Sequence, residues 1–265
     1  MNQLLQVSAS HQQDTTRRFS GIDGLEIQRL ETKFKMPLVA RGTYLGDWFS
    51  AAEVTENRFL LSGATTGTRR FYRFSLPIEY ETNNMGQWTH VLRFAPTYYS
   101  DESLVDQTRY LNEYGWQLKY QVNAKVRWVA GIRKDTRFGV ESLYPQFGME
   151  SRPNARMYHH WVFPDLYSEM SLAKGYQMRA FAKPNGGNWR YLQDDGSEAS
   201  FGMTDWNIGL AWLKPLQNPL QFKLEVGLKM MGEGSVAGAD GNLSDGYFFL
   251  LSIQSHLLAD KSDRW

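Results

Sequence analysis

The chain has 265 residues, 29 Lys plus Arg against 28 Asp plus Glu, no cysteine, and 14% aromatic residues. This balance excludes the concentrated basic face that a nucleic-acid partner requires, and the lack of cysteine fits an envelope compartment. Mean hydropathy is −0.50, and no apolar run approaches the roughly 18 residues of a membrane helix, yet half-polar spanning strands would leave the same signature.

In chain order, residues 1–6 carry no charged segment followed by an apolar one, so export would imply a signal peptide absent from this chain. Residues 1–24 (Ser8, His11, Gln12, Gln13, Asp14, Thr15, Thr16, Arg17, Arg18) are polar without a period and are expected to form a tail or a lumen plug. Period-two alternation then predicts strands over 25–38, 68–81, 87–99, 108–122, 125–135, 142–151, 157–163, 165–172, 175–183, 201–213, 220–231 and 246–257. In the eleventh, Leu220, Phe222, Leu224, Val226, Leu228 and Met230 share one face, while Gln221, Lys223, Glu225, Gly227 and Lys229 share the other. The expected fold is a single all-β domain over 25–265, an antiparallel up-and-down transmembrane β-barrel of about twelve strands. Ten or fourteen strands are the alternatives, because 157–163 and 165–172 also read as one bent strand and residues 41–61, with Tyr44, Trp48 and Phe59, as another strand or an inward fold.

The strands are long, often ten or more residues, where soluble strands average about five to six and spanning ones need about nine to eleven. Aromatic residues bracket the apolar faces, as at membrane interfaces: Tyr72 and Tyr80, Trp116, Trp128, Trp206 and Trp212, and Tyr247. With short turns at 83–86, 123–124, 153–155, 174–175 and 214–219 placed on the periplasmic side, the outer loops become 39–67, 100–107, 136–141, 184–200 and 232–245. The opposite faces place Arg69, Arg73, Glu79, Arg93, Glu113, Lys119, Arg127, Arg133, Glu150, Arg179, Lys223, Glu225 and Lys229 in the lumen. Both signs of charge in a narrow barrel imply an ion-paired core or a small selective pore.

Ser244-Asp245-Gly246-Tyr247-Phe248-Phe249-Leu250-Leu251 resembles the assembly signal in the last strand of bacterial outer-membrane β-barrels, though about fourteen residues follow Leu251. Over the central third, Tyr144-Pro145-Gln146-Phe147-Gly148, Arg152-Pro153-Asn154, Phe163-Pro164 and Gly186-Gly187-Asn188-Trp189 are similar to an uncharacterised barrel family of unknown function. The resemblance implies an integral outer-membrane location, outer-membrane lipids, lipopolysaccharide and the barrel-assembly machinery as partners, and no particular chemistry.

Catalytic patterns are sparse. There is no Gly-x-Ser-x-Gly elbow, and no cofactor motif or metal set is expected. His159 and His160 are adjacent on a strand, so they face opposite ways. His256 would be a general base only if a Ser and a carboxylate approached it from other strands. Asp240-Gly241-Asn242-Leu243-Ser244-Asp245 fails the calcium-loop spacing, because Asp245 stands where Gly is needed; it and Asp194–Glu198 are expected to be solvated acidic outer loops. The expected function is a narrow channel for small polar or anionic solutes, or a structural barrel. A lipid-modifying enzyme and a soluble ligand-binding barrel are the alternatives.

Overall fold

In the computed structural model the described residues are 6–63, 66–82, 86–102, 108–192, 197–216 and 219–256, with the backbone alone for Thr108, Leu192 and His256. They form β1 (Gln6–Asp14), β2 (Arg17–Phe19), β3 (Leu25–Gly42), β4 (Gly46–Gly63), β5 (Gly67–Ser75), β6 (Ile78–Thr82), β7 (Trp88–Asp101), β8 (Thr108–Asn123), β9 (Val126–Asp135), β10 (Ser142–Asn154), β11 (Met157–Phe163), β12 (Asp165–Ser171), β13 (Gln177–Pro184), β14 (Gly187–Leu192), β15 (Glu198–Pro215), β16 (Leu220–Val236), β17 (Ala239–Leu243) and β18 (Gly246–His256). All pair antiparallel into one sheet, which closes where Gln6–Asp14 pairs with His256–Phe248.

Four wall strands are broken in two: β1/β2, β5/β6, β13/β14 and β17/β18. Pro77 explains one break, since it has no N–H for the ladder. The partner strand β4 keeps its register across it, with Glu53 opposite Ser75 and Ser50 opposite Ile78. The closed wall therefore has fourteen strands rather than twelve.

Both additional strands change the twelve-strand reading, and the one at 46–63 bears out its fourteen-strand alternative. Residues 6–14 and 17–19 are wall, pairing with β18 and β3, and not a tail or plug. Residues 46–63 are wall, pairing with β3 along their whole length, and not part of an outer loop. Each escapes the pattern for a physical reason. The outward face of β1 carries Val7, Ala9, His11 and Gln13, and His11 satisfies its ring through the Thr32 hydroxyl (3.0 Å) rather than presenting a greasy stripe. The outward face of β4 is interrupted by Glu56 and Arg58, an ion pair, before Leu60. Inserting β4 also reverses β3, which descends from the far end to the end that holds Gln6 and His256, here called the terminal end. Residues 239–243 are a third correction: they form β17 against β16, not a solvated loop. Residues 193–196 of the other acidic loop lie outside the described residues.

The wall is inside out relative to a soluble sandwich. Phe34, Leu92, Phe94, Trp128, Ile132, Phe147, Leu210, Val226, Phe249 and Ile253 are exposed on the outer surface. Charged Glu53, Glu113, Glu150, Glu225 and Lys229 are buried on the inner one. The ladder closes around the ring, and an apolar exterior removes nothing polar from water, so this wall is built to cross a membrane.

The interior changes character along the axis. Toward the far end, Phe19, Leu25, Ile27, Phe59, Leu61, Phe71, Tyr99, Leu111, Trp189, Tyr191, Phe201, Met203 and Leu243 belong to one hydrophobic cluster. Several of its contacts join strands that are not neighbours in the wall. Phe71 of β5 stacks on Trp189 of β14 at 5.4 Å, and Phe59 of β4 meets Phe201 of β15 at 4.4 Å. β14 also lies against β7 and β8 on the opposite side. The far end is thus collapsed into a two-layer sandwich with its own core, a cap across the barrel.

Candidate functional site: a polar lumen beneath an aromatic cap

Inward positions of alternate strands bring the charged residues together below the cap. Arg73 donates to Glu113 (2.8 Å) and to the Tyr99 hydroxyl (3.2 Å), and approaches Glu53 (3.8 Å), which also holds Lys33 (3.1 Å) and Lys35 (3.5 Å). Glu79 stands opposite Arg93 on the β6–β7 ladder. Glu150 gathers Arg127 (3.0 Å), His160 (3.3 Å) and Lys119 (3.5 Å). Arg179 binds Glu169 (2.6 Å) and lies over the Tyr167 ring. Glu225 holds Lys223 (3.0 Å) and Lys183 (3.4 Å), and Arg133 binds Asp135 (2.6 Å). Arg69 sits higher, over the Tyr191 ring at the cap.

Lys229 belongs to a separate, dry layer. Its ammonium contacts Asp14 (2.9 Å) and Asp205 (3.1 Å), Asp205 accepts from Arg17 (2.8 Å), and Asp14 accepts from Gln12 (2.8 Å). Lys229 and Asp205 are 0% exposed, whereas the side chains of Arg133, Arg179 and Lys183 keep 17%, 24% and 38%. Several of the paired cations of the lower lumen are thus partly exposed, whereas the Lys229 cluster on β1, β2, β15 and β16 is fully buried.

The sequence reading placed Arg17 in the leader and Glu53 in a loop, expecting both to pair with the ionic wall from there, and missed Asp14 and Asp205. The signal for Asp205 was present, since it keeps the alternation of β15 with Phe201, Met203 and Asn207 buried on the same face; the one-residue shift between Thr204 and Trp206 places the extra residue in β16.

Of the aromatics expected at the membrane interfaces, Tyr80 packs on Trp48 (4.6 Å) and Trp212 stacks on Tyr176 (5.7 Å). Tyr72 packs beside Phe74. Trp116, Trp128 and Tyr247 are exposed outward. Trp206 is half-buried against Phe138 and Phe163.

The two histidines face opposite ways: His160 inward to Glu150, His159 to the Ser168 hydroxyl (2.9 Å). The Ser168–His159 pair is no hydrolytic site, because the same hydroxyl accepts from Trp161 (3.0 Å) and among the described residues no carboxylate orients His159. The side chain of His256 lies outside the described residues.

No protein-family model matches the chain, and no curated protein matches it. Among solved structures it is similar to the transport unit of the autotransporter AIDA-I from Escherichia coli (9% identity, 96% of this chain and 90% of that one, TM-score 0.45). It is also similar to the P. putida toluene transporter TodX (7%, 96% and 90%, TM-score 0.43) and to the KdgM porin in complex with disordered oligogalacturonate (10%, 95% and 99%, TM-score 0.37).

Proposed function

We propose that the chain is a channel- or transport-type β-barrel of the bacterial outer membrane, whose lumen takes small anionic or polar solutes and is sealed at its outer mouth by the aromatic cap. The terminal end faces the periplasm, and lipid and lipopolysaccharide meet the outer surface. The carrying observation is the composition of the wet lower lumen. Thirteen cations (Arg29, Lys33, Lys35, Arg73, Arg93, Lys119, Arg127, Arg133, Arg137, Arg152, Arg179, Lys183, Lys223) face eleven carboxylates (Glu31, Asp47, Glu53, Glu79, Glu81, Glu113, Asp135, Glu150, Asp165, Glu169, Glu225) among the described residues. A surplus of one sign in a low-dielectric tube concentrates the opposite ion.

Planar-bilayer recording tests this reading. The intact barrel should conduct little, and Phe59→Ala with Phe201→Ala should open an anion-preferring current. A folded double variant that stays silent supports a purely structural barrel instead.

A further inference from the structure

If the cap closes the axis, a solute in the lumen needs another way out, and among the described residues the ladder is open at the far ends of β8, before Tyr114, and of β10, before Phe147, the second lying beside a short hairpin. The β11–β12 hairpin turns at Pro164, with Val162 already opposite Asp165. Its neighbour β10 pairs Phe147 with Phe163 and then continues to Ser142 with no partner on that side. The loop 136–141 fills the gap. Phe138 wedges between Tyr144 (5.0 Å), Phe163 (6.3 Å) and Trp206 (6.4 Å). Arg137 latches it, donating to both oxygens of Asp165 (2.7 and 2.8 Å), to Asp135 (2.9 Å) and to the Tyr144 hydroxyl (2.7 Å).

Side chains rather than a ladder tie this loop to the far side. The Thr204 hydroxyl donates to the Arg137 carbonyl (3.3 Å) and the Asn188 amide to the Gly139 carbonyl (3.1 Å). The seat is fitted: Gly139 is at φ +75°, and a Cβ on Gly186 would lie 2.6 Å from the Arg137 carbonyl oxygen. Where strands pair, the wall moves only by breaking backbone bonds; along the unpaired side of β10 a few side-chain bonds suffice. Trp206, which brackets the apolar face of β15, sets the window at the outer interface of the membrane.

We propose that this window is a lateral portal between the lumen and the outer leaflet, gated by loop 136–141 and selective for amphipathic carboxylates. The apolar chain passes between Phe138, Phe163 and Trp206, while the carboxylate takes the place of Asp165 on Arg137 and then meets Arg133 inside. This rests on the reading of the lower lumen as basic and solute-accessible, so the test separates the two.

The chain has no cysteine, so Lys183→Cys, one strand from Asp165 with a partly exposed inward side chain, carries a single bimane fluorophore in lipid vesicles. Aqueous iodide reports the lumen, and lipids brominated on their acyl chains report the portal. Asp165→Asn removes the latch and Phe138→Ala removes the wedge without touching a charge; heat-modifiable gel mobility establishes that each is folded. Both should increase bromolipid quenching while iodide quenching persists. Dodecanoate should shift the emission at a concentration about tenfold below dodecyltrimethylammonium, the size of one charge-assisted hydrogen bond. Unchanged bromolipid quenching in both folded variants, with iodide still effective, overturns the portal and leaves the lumen reading standing. Equal responses to the two amphiphiles overturn the carboxylate preference. Failure of iodide to reach the label in the parent overturns the lumen reading itself.

Discussion

Replacing Lys229 by Met should be among the most damaging single changes in the wall. Lys229 is fully buried, and its ammonium contacts Asp14 (2.9 Å) and both oxygens of Asp205 (3.1 and 3.2 Å). Asp205 keeps Arg17 as a counterion after the change, but Asp14 retains only the Gln12 amide. Breaking a buried ion pair by removing one partner costs about 3 to 5 kcal/mol, because the remaining charge is left uncompensated. The lower half of that range applies here, since only one of the two carboxylates is orphaned. Asp14→Asn in the Lys229→Met background removes the orphan and should recover more than half of the loss, giving a coupling of roughly 0.5 to 3 kcal/mol. Urea unfolding in lipid vesicles, followed by tryptophan fluorescence, measures both. A loss below about 1 kcal/mol for Lys229→Met, well under the expected cost, would refute the dry-layer argument. So would a double variant no more stable than the sum of the singles.

Arg at Val226, exposed on the outer face opposite Leu210 and Phe249, should cost about 2 to 4 kcal/mol in the same assay; Arg at Gln221 should cost almost nothing, and equal costs would invert the assigned faces. Charge reversal at Arg127 and Lys223, in a barrel opened by removing cap aromatics, should move the reversal potential toward cations; an unmoved potential would place the path elsewhere. The Glu141 carboxyl is held below its ordinary range by a hydrogen bond from Lys134, then by the charges of Lys134 and Arg109. Its tether on the loop is therefore complete above the ordinary glutamate value of about 4.3 and is lost as pH falls through the depressed one. A spin label at the exposed Val140 should keep its mobility from neutral pH down to that range and gain mobility only below it.

Alternation alone determined much of this protein. Leu220–Met230 and Arg70–Tyr80 assign their own faces, because side chains on a strand point alternately to opposite sides whatever surrounds them. From that came the membrane-crossing sheet and most of the inward charges, including Arg73, Glu113, Glu150 and Glu225. The two missed wall strands mark the limit of the rule. β1 is held by pairing with β18 and β3, and its outward His11 is satisfied by Thr32, so its place depends on neighbours more than 20 residues away and not on its own pattern.

The tertiary structure decided what the interior does. Phe59, Phe71 and Trp189 each look in sequence like ordinary apolar strand residues, and nothing local states that they meet across the barrel. Whether a lumen is open depends on the radius of the closed wall and on which strands stop short, and both are sums over all fourteen strands. The Arg137–Asp165 latch joins a turn to a hairpin 28 residues away. Its partners come within reach only once β10, β11 and β12 are paired in register. Side-chain periodicity is a property of one strand, whereas closure, cap and portal are properties of the strands together.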